Sequence, residues 1–431
     1  MTLHTVAPGQ TLFSIGRQYG LDPGLIARVN GLAPPYELAV GQSLLILFPA
    51  TLHTVRPGES LASIAAANGV SVLQILRCNP NLGGLPEIFP GQVLVLAWED
   101  VPTRPVEVNG YAYPYVDEAV LRGILPYSTY LTPFTYGISA SGGLVEPADR
   151  RLIALAKQYG VTPLLHLSTL TEADTFSSER AAYVLSDPAR QAALAELVVR
   201  QIEARGYGGA DLDFEYLAAA LAEAYAAFAG RLREALNEQG MELFVALAPK
   251  TSAAQPGLLY EGHNYRLLGE NSDAVLLMTY EWGYTYSPPM AVAPIQAVRR
   301  VLNYALTELP PEKIFLGFPN YAYDWTLPFV AGESRAQSLS NPGAVALAVR
   351  YRAEIQFDEA AQTPWFRYTG GDGRIHEVWF GDPRSSLAKF RLVEEFGLRG
   401  LGYWNFMRPF PANFSLLNAL FQIKTPEGFK A

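Results

Sequence analysis

Cysteine is almost missing from this chain: one residue, Cys78, in 431 leaves no internal disulfide and no multi-cysteine zinc site to build. The five histidines, His4, His53, His166, His263 and His376, are scattered without ligand spacing, so neither a metal nor any other cofactor is expected. Basic residues are also in short supply. With 32 Lys and Arg against 41 Asp and Glu the formal charge is -9, which argues against a nucleic-acid partner, because phosphate binding needs clustered cations. No stretch approaches the roughly 20 uninterrupted apolar residues of a membrane helix. The best candidate, LAVGQSLLILFPA, is broken by Gly and Pro, so a soluble protein with no membrane partner is expected. The opening MTLHTVAPGQ has neither a basic n-region nor an apolar h-region, so a secretory signal is not expected. What is present is apolar mass, 49% of residues with 12% aromatic, enough to bury large cores, and a length that suggests about three folded units.

The first hundred residues are a tandem duplication. TLHTVAPGQTLFSI from Thr2 recurs as TLHTVRPGESLASI from Thr51, an offset of 49 residues. Each copy reads as a short strand, a Pro-Gly turn and a helix opened by the hydroxyl cap Thr11 or Ser60. A second helix starts at Asp22-Pro23 or Ser71 and stops at Asn30 or Asn79, and a Gly-Gln turn leads into the strands LLIL and VLVL. A linker Phe48-Pro49-Ala50 joins the copies. The HTVxPGxTL opening, the central Asn and the closing Gly-Gln turn and strand resemble LysM modules over residues 2–48 and 51–97. The resemblance implies binding of N-acetylglucosamine glycans such as peptidoglycan or chitin, with contacts near Gly9, Thr11, Leu12, Gly58, Ser60 and Leu61. Two linked copies raise avidity on a repetitive polymer without any new contact.

After Trp98 a polar, Pro-containing linker, EDVPTRPVE, leads into some 320 residues of alternating strand and helix patterns. Eight segments read as strands: VNGYAYPYV, LTPFTYGIS, VTPLLHLS, GGADLDFEY, LFVALAPK, AVLLMTYEW, IFLGFP and LGYWNF. Helices are expected between them, among them Pro188 to Arg205 and Ala218 to Glu238. The fold class is therefore α/β: a (β/α)8 TIM barrel over residues 103–425, preceded by two small βααβ modules. Residues 322–383 interrupt the alternation between the seventh and eighth strands and are expected to form a small inserted α+β lobe walling the cleft.

The chemistry concentrates in GGADLDFEY. Alternation puts Asp211, Asp213 and Glu215 on one face and Leu212 and Phe214 on the other. In a barrel strand the acidic face is the interior, and Glu215 reaches the catalytic mouth. Three crowded carboxyls must share protons, so at least one pKa rises, the condition for a general acid at neutral pH. This stretch resembles the fourth strand of family 18 glycoside hydrolases, D-G-x-D-x-D-x-E, with Gly208 replacing the leading Asp. The resemblance further implies that Tyr280 contacts the acetamido group of the substrate, and that Trp404, Glu281 and Tyr111 bind the sugar.

Spacing bears on mechanism. Ordinary retaining glycosidases set two carboxyls about 5 Å apart across the scissile bond. Asp213 and Glu215, at roughly 6 to 7 Å along one strand, sit on the same side of the substrate. No other strand-end acid is marked as the opposing nucleophile, and Glu281 stays open for that part. The family resemblance implies substrate assistance, one of the known exceptions to the two-carboxylate scheme. Glu215 protonates the glycosidic oxygen, the substrate's own acetamido carbonyl attacks, Asp213 orients that amide, and Asp211 holds Asp213.

Two LysM modules before such a barrel resemble the spore cortex-lytic N-acetylglucosaminidases of endospore-forming bacteria. That implies a peptidoglycan hydrolase at the spore or cell wall, cutting on the reducing side of N-acetylglucosamine; a monomer is expected. A chitinase is the alternative within enzymes. A non-catalytic glycan-binding lectin is the alternative of another class, and such proteins characteristically lack the acid that Glu215 supplies.

Overall fold

The computed structural model describes residues 1–173 and 175–425. Among these, no single helix is long and apolar enough to cross a membrane.

In the first N-terminal unit the antiparallel strands Thr2–Thr5 and Ser43–Ile46 enclose the helices Leu12–Tyr19 and Pro23–Asn30. In the second, Pro49–Thr54 and Val93–Trp98 enclose Leu61–Asn68 and Val72–Cys78. The caps fall where expected: Thr11, Asp22, Ser60 and Ser71 each accept a first-turn N–H. The central Asn is a clasp between the second helix and the last strand. Asn79 Nδ2 donates to the Ile75 and Val95 carbonyls, both at 2.7 Å, and its Oδ1 accepts from Val95 N at 3.0 Å. Asn30 repeats the pattern on Ile26 and Leu45.

Two expected linkers are partly strand. Pro49 lies opposite Trp98, so only Phe48 of the Phe48-Pro49-Ala50 linker stays outside the sheet. Arg104 to Glu107 already belong to the first barrel strand, Arg104–Ala112. Their polar, Pro-containing composition disguised them, because Glu107 is paired with cations more than 290 residues away.

Seven further strand positions follow in parallel: Tyr130–Pro133, then Thr162–Pro163 continued by Leu165–Ser168, then Gly209–Asp213, Glu242–Leu247, Ala274–Leu277, Ile314–Pro319 and Gly400–Trp404. The hydrogen-bonded path runs from Leu165–Ser168 through the fourth to eighth strands, on through the first and second, and ends on Thr162–Pro163. Its two ends are halves of one strand separated by Leu164 alone, so the barrel closes on eight positions. The expected helix Pro188–Arg205 forms with those bounds, and the Ala-rich one spans Ala222–Asn237. Between the seventh and eighth strands, Ala322–Thr326, Gln337–Leu339, Gln356–Asp358, Thr363–Thr369 and Ile375–Trp379 build an antiparallel sheet with the helix Asn341–Tyr351.

The N-terminal units are docked on the barrel domain. Gly41, at φ 81°, lies so close to the lobe that a β-carbon would stand 1.9 Å from the Ile355 carbonyl oxygen. Ile355 N in turn donates to Val40 O at 2.9 Å. In the second unit Gly84, at φ 78°, packs as tightly against the Arg122 carbonyl. The buried Arg77 donates from Nε to Pro126 O and from Nη2 to Thr425 Oγ1 at 2.6 Å, and Tyr127 Oη donates back to Arg77 O. Cys78 is buried beside this contact, and burial pushes its thiol up to about 12, so it is an inert core residue.

Candidate active site

The fourth strand brings its carboxylates together as the alternation requires. Asp211 is fully buried, Asp213 nearly so, and Glu215, two residues past the strand end, is partly open to the mouth. Burial pushes Asp211 up to about 6, with the Asp213 charge adding to the rise while His166 and Tyr111 oppose it. Glu215 is pushed up to about 8, again first by burial and then by Asp213. The rise expected from crowding is therefore present, but removal from water is its larger cause.

Hydrogen bonding changes two expected roles. Tyr111 is 2% exposed and donates to Asp211 Oδ2 at 2.6 Å, so its hydroxyl is spent on the protein and not on a sugar. No hydrogen bond joins Asp211 to Asp213 among the described residues, so Asp211 does not hold its neighbour in that way. The group beside Asp213 is instead His166, with Nε2 at 3.5 Å from Oδ2 and Nδ1 at 2.5 Å from Thr135 Oγ1. In the sequence His166 is one of five scattered histidines. The signal existed: in LLHLS, His166 and Ser168 alternate with apolar residues, and they lie in register with Asp211 and Asp213.

Around the mouth, Tyr280 follows the sixth strand. Its hydroxyl is pushed well above the usual tyrosine range by burial and then by the charges of Asp213, Glu215, Glu281 and Asp211. Glu281, at φ 65°, accepts on Oε1 from the Tyr321 and Tyr323 hydroxyls, both at the root of the lobe. Trp404 ends the eighth strand with its ring centroid 5.0 Å from that of Phe134 and 5.5 Å from that of Tyr111, both in edge-to-face packing. The cleft, about 410 Å³, is lined by Tyr113, Glu281, Tyr321, Tyr323, Trp404 and Arg408. Exposed rings that the sequence did not single out, Tyr115, Phe176, Tyr216, Tyr284 and Tyr286, stand on the strand-to-helix loops. A cavity of about 530 Å³ between the first N-terminal unit and the lobe is lined neither by the carboxylates of the fourth strand nor by Tyr280, Glu281 or Trp404, so it lies away from the catalytic mouth, whereas the cleft of about 410 Å³ holds Glu281 and Trp404.

A family model for glycosyl hydrolases family 18 matches residues 173–408, more than half of the chain, and one for the LysM domain matches residues 4–47 and 53–97. The cortical fragment-lytic enzyme of Bacillus subtilis is 38% identical over 98% of this chain and 99% of its own. The chain belongs to glycosyl hydrolase family 18. Among solved structures, the spore cortex-lytic enzyme SleL of Bacillus cereus superposes with a TM-score of 0.84 at 35% identity, covering 99% of both chains. A chitinase from Chromobacterium violaceum, at 23% identity and TM-score 0.67 over 73% of this chain and 98% of its own, shares the barrel fold. This protein is thus a glycoside hydrolase carrying LysM modules.

Its departure from the family 18 strand motif has a local cause. A β-carbon at Gly208 would stand 2.5 Å from Thr162 Cγ2, so an Asp fits there only if the Thr162 side chain shifts. In the LysM units, Gly9, Thr11, Gly58 and Ser60 are exposed, and Thr11 and Ser60 use their hydroxyls as caps. Leu12 and Leu61 are core residues, 4% and 2% exposed, so their side chains are not presented to a glycan.

Proposed function

We propose that this family 18 enzyme hydrolyses the glycan of spore-cortex peptidoglycan, cutting on the reducing side of N-acetylglucosamine with retention of configuration and with the substrate's acetamido group as nucleophile. The observation that carries the reading is the elevated carboxyl of Glu215, protonated at neutral pH and standing at the mouth on the same strand as Asp213. In that form it donates its proton to the glycosidic oxygen as the C1–O bond breaks, and the acetamido carbonyl oxygen bonds to C1. Asp213 stabilises the positive charge that develops on the oxazolinium ring, and Tyr280 donates to the carbonyl. Glu215, now ionised, takes a proton from the water that opens the ring. Glu281 is occupied by two tyrosine hydroxyls, which suits a substrate-orienting role better than that of an opposing nucleophile. Trp404 forms the floor under the sugar.

The cortex enters through the names of the full-length relatives, which share both LysM units and the barrel. In this reading the LysM turns at Gly9–Thr11 and Gly58–Ser60 contact the glycan and hold the enzyme, acting as a monomer, on its polymer at the spore or cell wall. The test supplies purified protein with cortex peptidoglycan, vegetative peptidoglycan and chitin oligomers and identifies new reducing ends by mass spectrometry. Muropeptides ending in N-acetylglucosamine are expected. Chitobiose alone would make it a chitinase, and binding without product would make it a lectin. Equal hydrolysis of a de-N-acetylated glycan would exclude substrate assistance.

A further inference from the structure

The strand that carries the acid runs out of neighbours before it reaches the acid. Its ladder to the fifth strand ends with Leu212 opposite Val245, and its ladder to the third ends with Asp213 opposite Ser168. Phe214 and Glu215 project beyond the last rung, and Tyr216 sits at φ 55°, in the left-handed region that a bulky residue enters only under constraint. A backbone so placed needs another support if the Glu215 carboxyl is to stay in one position.

Side chains supply it. His263 is fully buried, with Nε2 2.9 Å from the Phe214 carbonyl oxygen and Nδ1 2.8 Å from the Ala248 nitrogen. The Ala248 N–H only donates, so Nδ1 is the bare nitrogen and Nε2 carries the proton given to Phe214. Ala248 directly follows the fifth strand, so the imidazole joins the fourth and fifth strands one step past their last rung, offering one donor and one acceptor as a peptide unit would. The Phe214 N–H turns to Tyr225 Oη at 3.4 Å. Lys250 Nζ donates to the His263 carbonyl at 3.0 Å, which anchors the histidine backbone, and Tyr265 Oη donates to Ala248 O, which anchors the residue that the imidazole bonds.

We propose that His263 is a positioning residue for the reaction: a neutral imidazole that replaces the missing rung between the fourth and fifth strands and fixes the Glu215 carboxyl relative to Asp213. This rests on the reading of Glu215 as the acid. The charged groups facing the ring are Asp213 and Lys250, with the Tyr225 ring 6.1 Å away. Burial, more than any of these, lowers the imidazole pKa and keeps the ring neutral at neutral pH, while the Ala248 N–H selects the tautomer.

Two full-length variants separate the rung from simple packing. In H263N an amide oxygen takes the place of Nδ1 and accepts from Ala248, but nothing reaches Phe214. In H263Q the longer amide places a donor where Nε2 was. H263N is expected to lose about 10²-fold in kcat on cortex peptidoglycan with KM within about twofold, as sub-ångström misplacement of a catalytic group allows. The alkaline limb of its pH profile should move toward the ordinary carboxylate range as Glu215 gains access to water, and H263Q should recover most of both. If folded H263N keeps the wild-type kcat and limb, or loses only thermal stability, His263 is a packing residue and the proposal fails. If neither variant folds, Y225F, which removes the other support of Phe214, must show the same limb shift in smaller measure, and an unshifted limb overturns the proposal. E215Q is assayed alongside: activity there overturns the acid assignment itself, whatever His263 does.

Discussion

The two ends of the barrel treat the same residue type in opposite ways. At the N-terminal end, Glu107 accepts from Arg399 Nε at 2.6 Å and from Lys424 Nζ at 3.1 Å, and Glu242 accepts from Arg399 Nη2 at 2.8 Å. Tyr130 Oη bridges both carboxylates, and the guanidinium lies between the Phe244 and Phe315 rings, 5.6 and 5.4 Å from their centroids. Burial opposes the Arg399 charge, but the two glutamates outweigh it and hold its pKa above the usual range. At the C-terminal end Asp211, Asp213 and Glu215 make no ion pair with Lys or Arg among the described residues. Asp211 and Asp213 each keep one buried oxygen without a hydrogen-bond partner. Pairing at the base gives a fixed closure to the barrel, and starvation at the mouth gives carboxyls that hold protons near neutral pH.

The largest effect expected from disturbing this contrast is at the mouth. Glu215→Gln keeps size and hydrogen bonding but removes the transferable proton, so kcat on cortex peptidoglycan should fall by about 10³-fold or more while binding to the insoluble polymer stays within about twofold. Co-sedimentation and product release measured on the same preparation check both halves. A variant that still turned over normally would leave the acid unassigned. The unmutated enzyme should lose kcat/KM as pH rises through about 8, the value to which burial and Asp213 push Glu215.

Next in size is the opposite end. Arg399→Met fills similar volume but leaves Glu107 with Lys424 alone and Glu242 with no ion-pair partner among the described residues. Stripping the cation from a largely buried network costs about 3 kcal/mol, which denaturant unfolding should show, with kcat per folded molecule unchanged. A catalytic defect at intact stability would mean that the two ends are coupled.

How far each end could be read from the chain alone follows from range in sequence. Alternation within nine residues was enough to align Asp211, Asp213 and Glu215, and a repeat offset by 49 residues was enough to reveal the two modules. All eight strand segments are barrel positions, because buried parallel strands leave local apolar runs. What stayed hidden depends on partners far along the chain. Tyr111 meets Asp211 across 100 residues, Thr135 meets His166 across 31, and Arg399 meets Glu107 across 292. No local pattern marks such pairs. The elevated carboxyls were expected from crowding, yet burial dominates, and burial is a property of the closed barrel rather than of the strand.

The smallest expected effect tests whether starvation at the mouth has an energetic cost. Glu215 ionises near its ordinary value of 4.5 when unfolded and at about 8 when folded, so between these values the native state binds the extra proton. Stability from this group is fully present below about 4.5 and is lost as pH rises through 8, where the folded protein must carry a buried charge beside Asp213. Glutamine carries no such charge. Glu215→Gln should therefore match the unmutated protein in thermal stability near pH 4.5 and exceed it above pH 8, by of the order of 2 kcal/mol once the partial opening of the site to solvent is allowed for. Melting both proteins across this range isolates the effect, because the paired glutamates at the base are common to the two. A constant difference at every pH would mean that the carboxyl at the mouth is as well compensated as those below it.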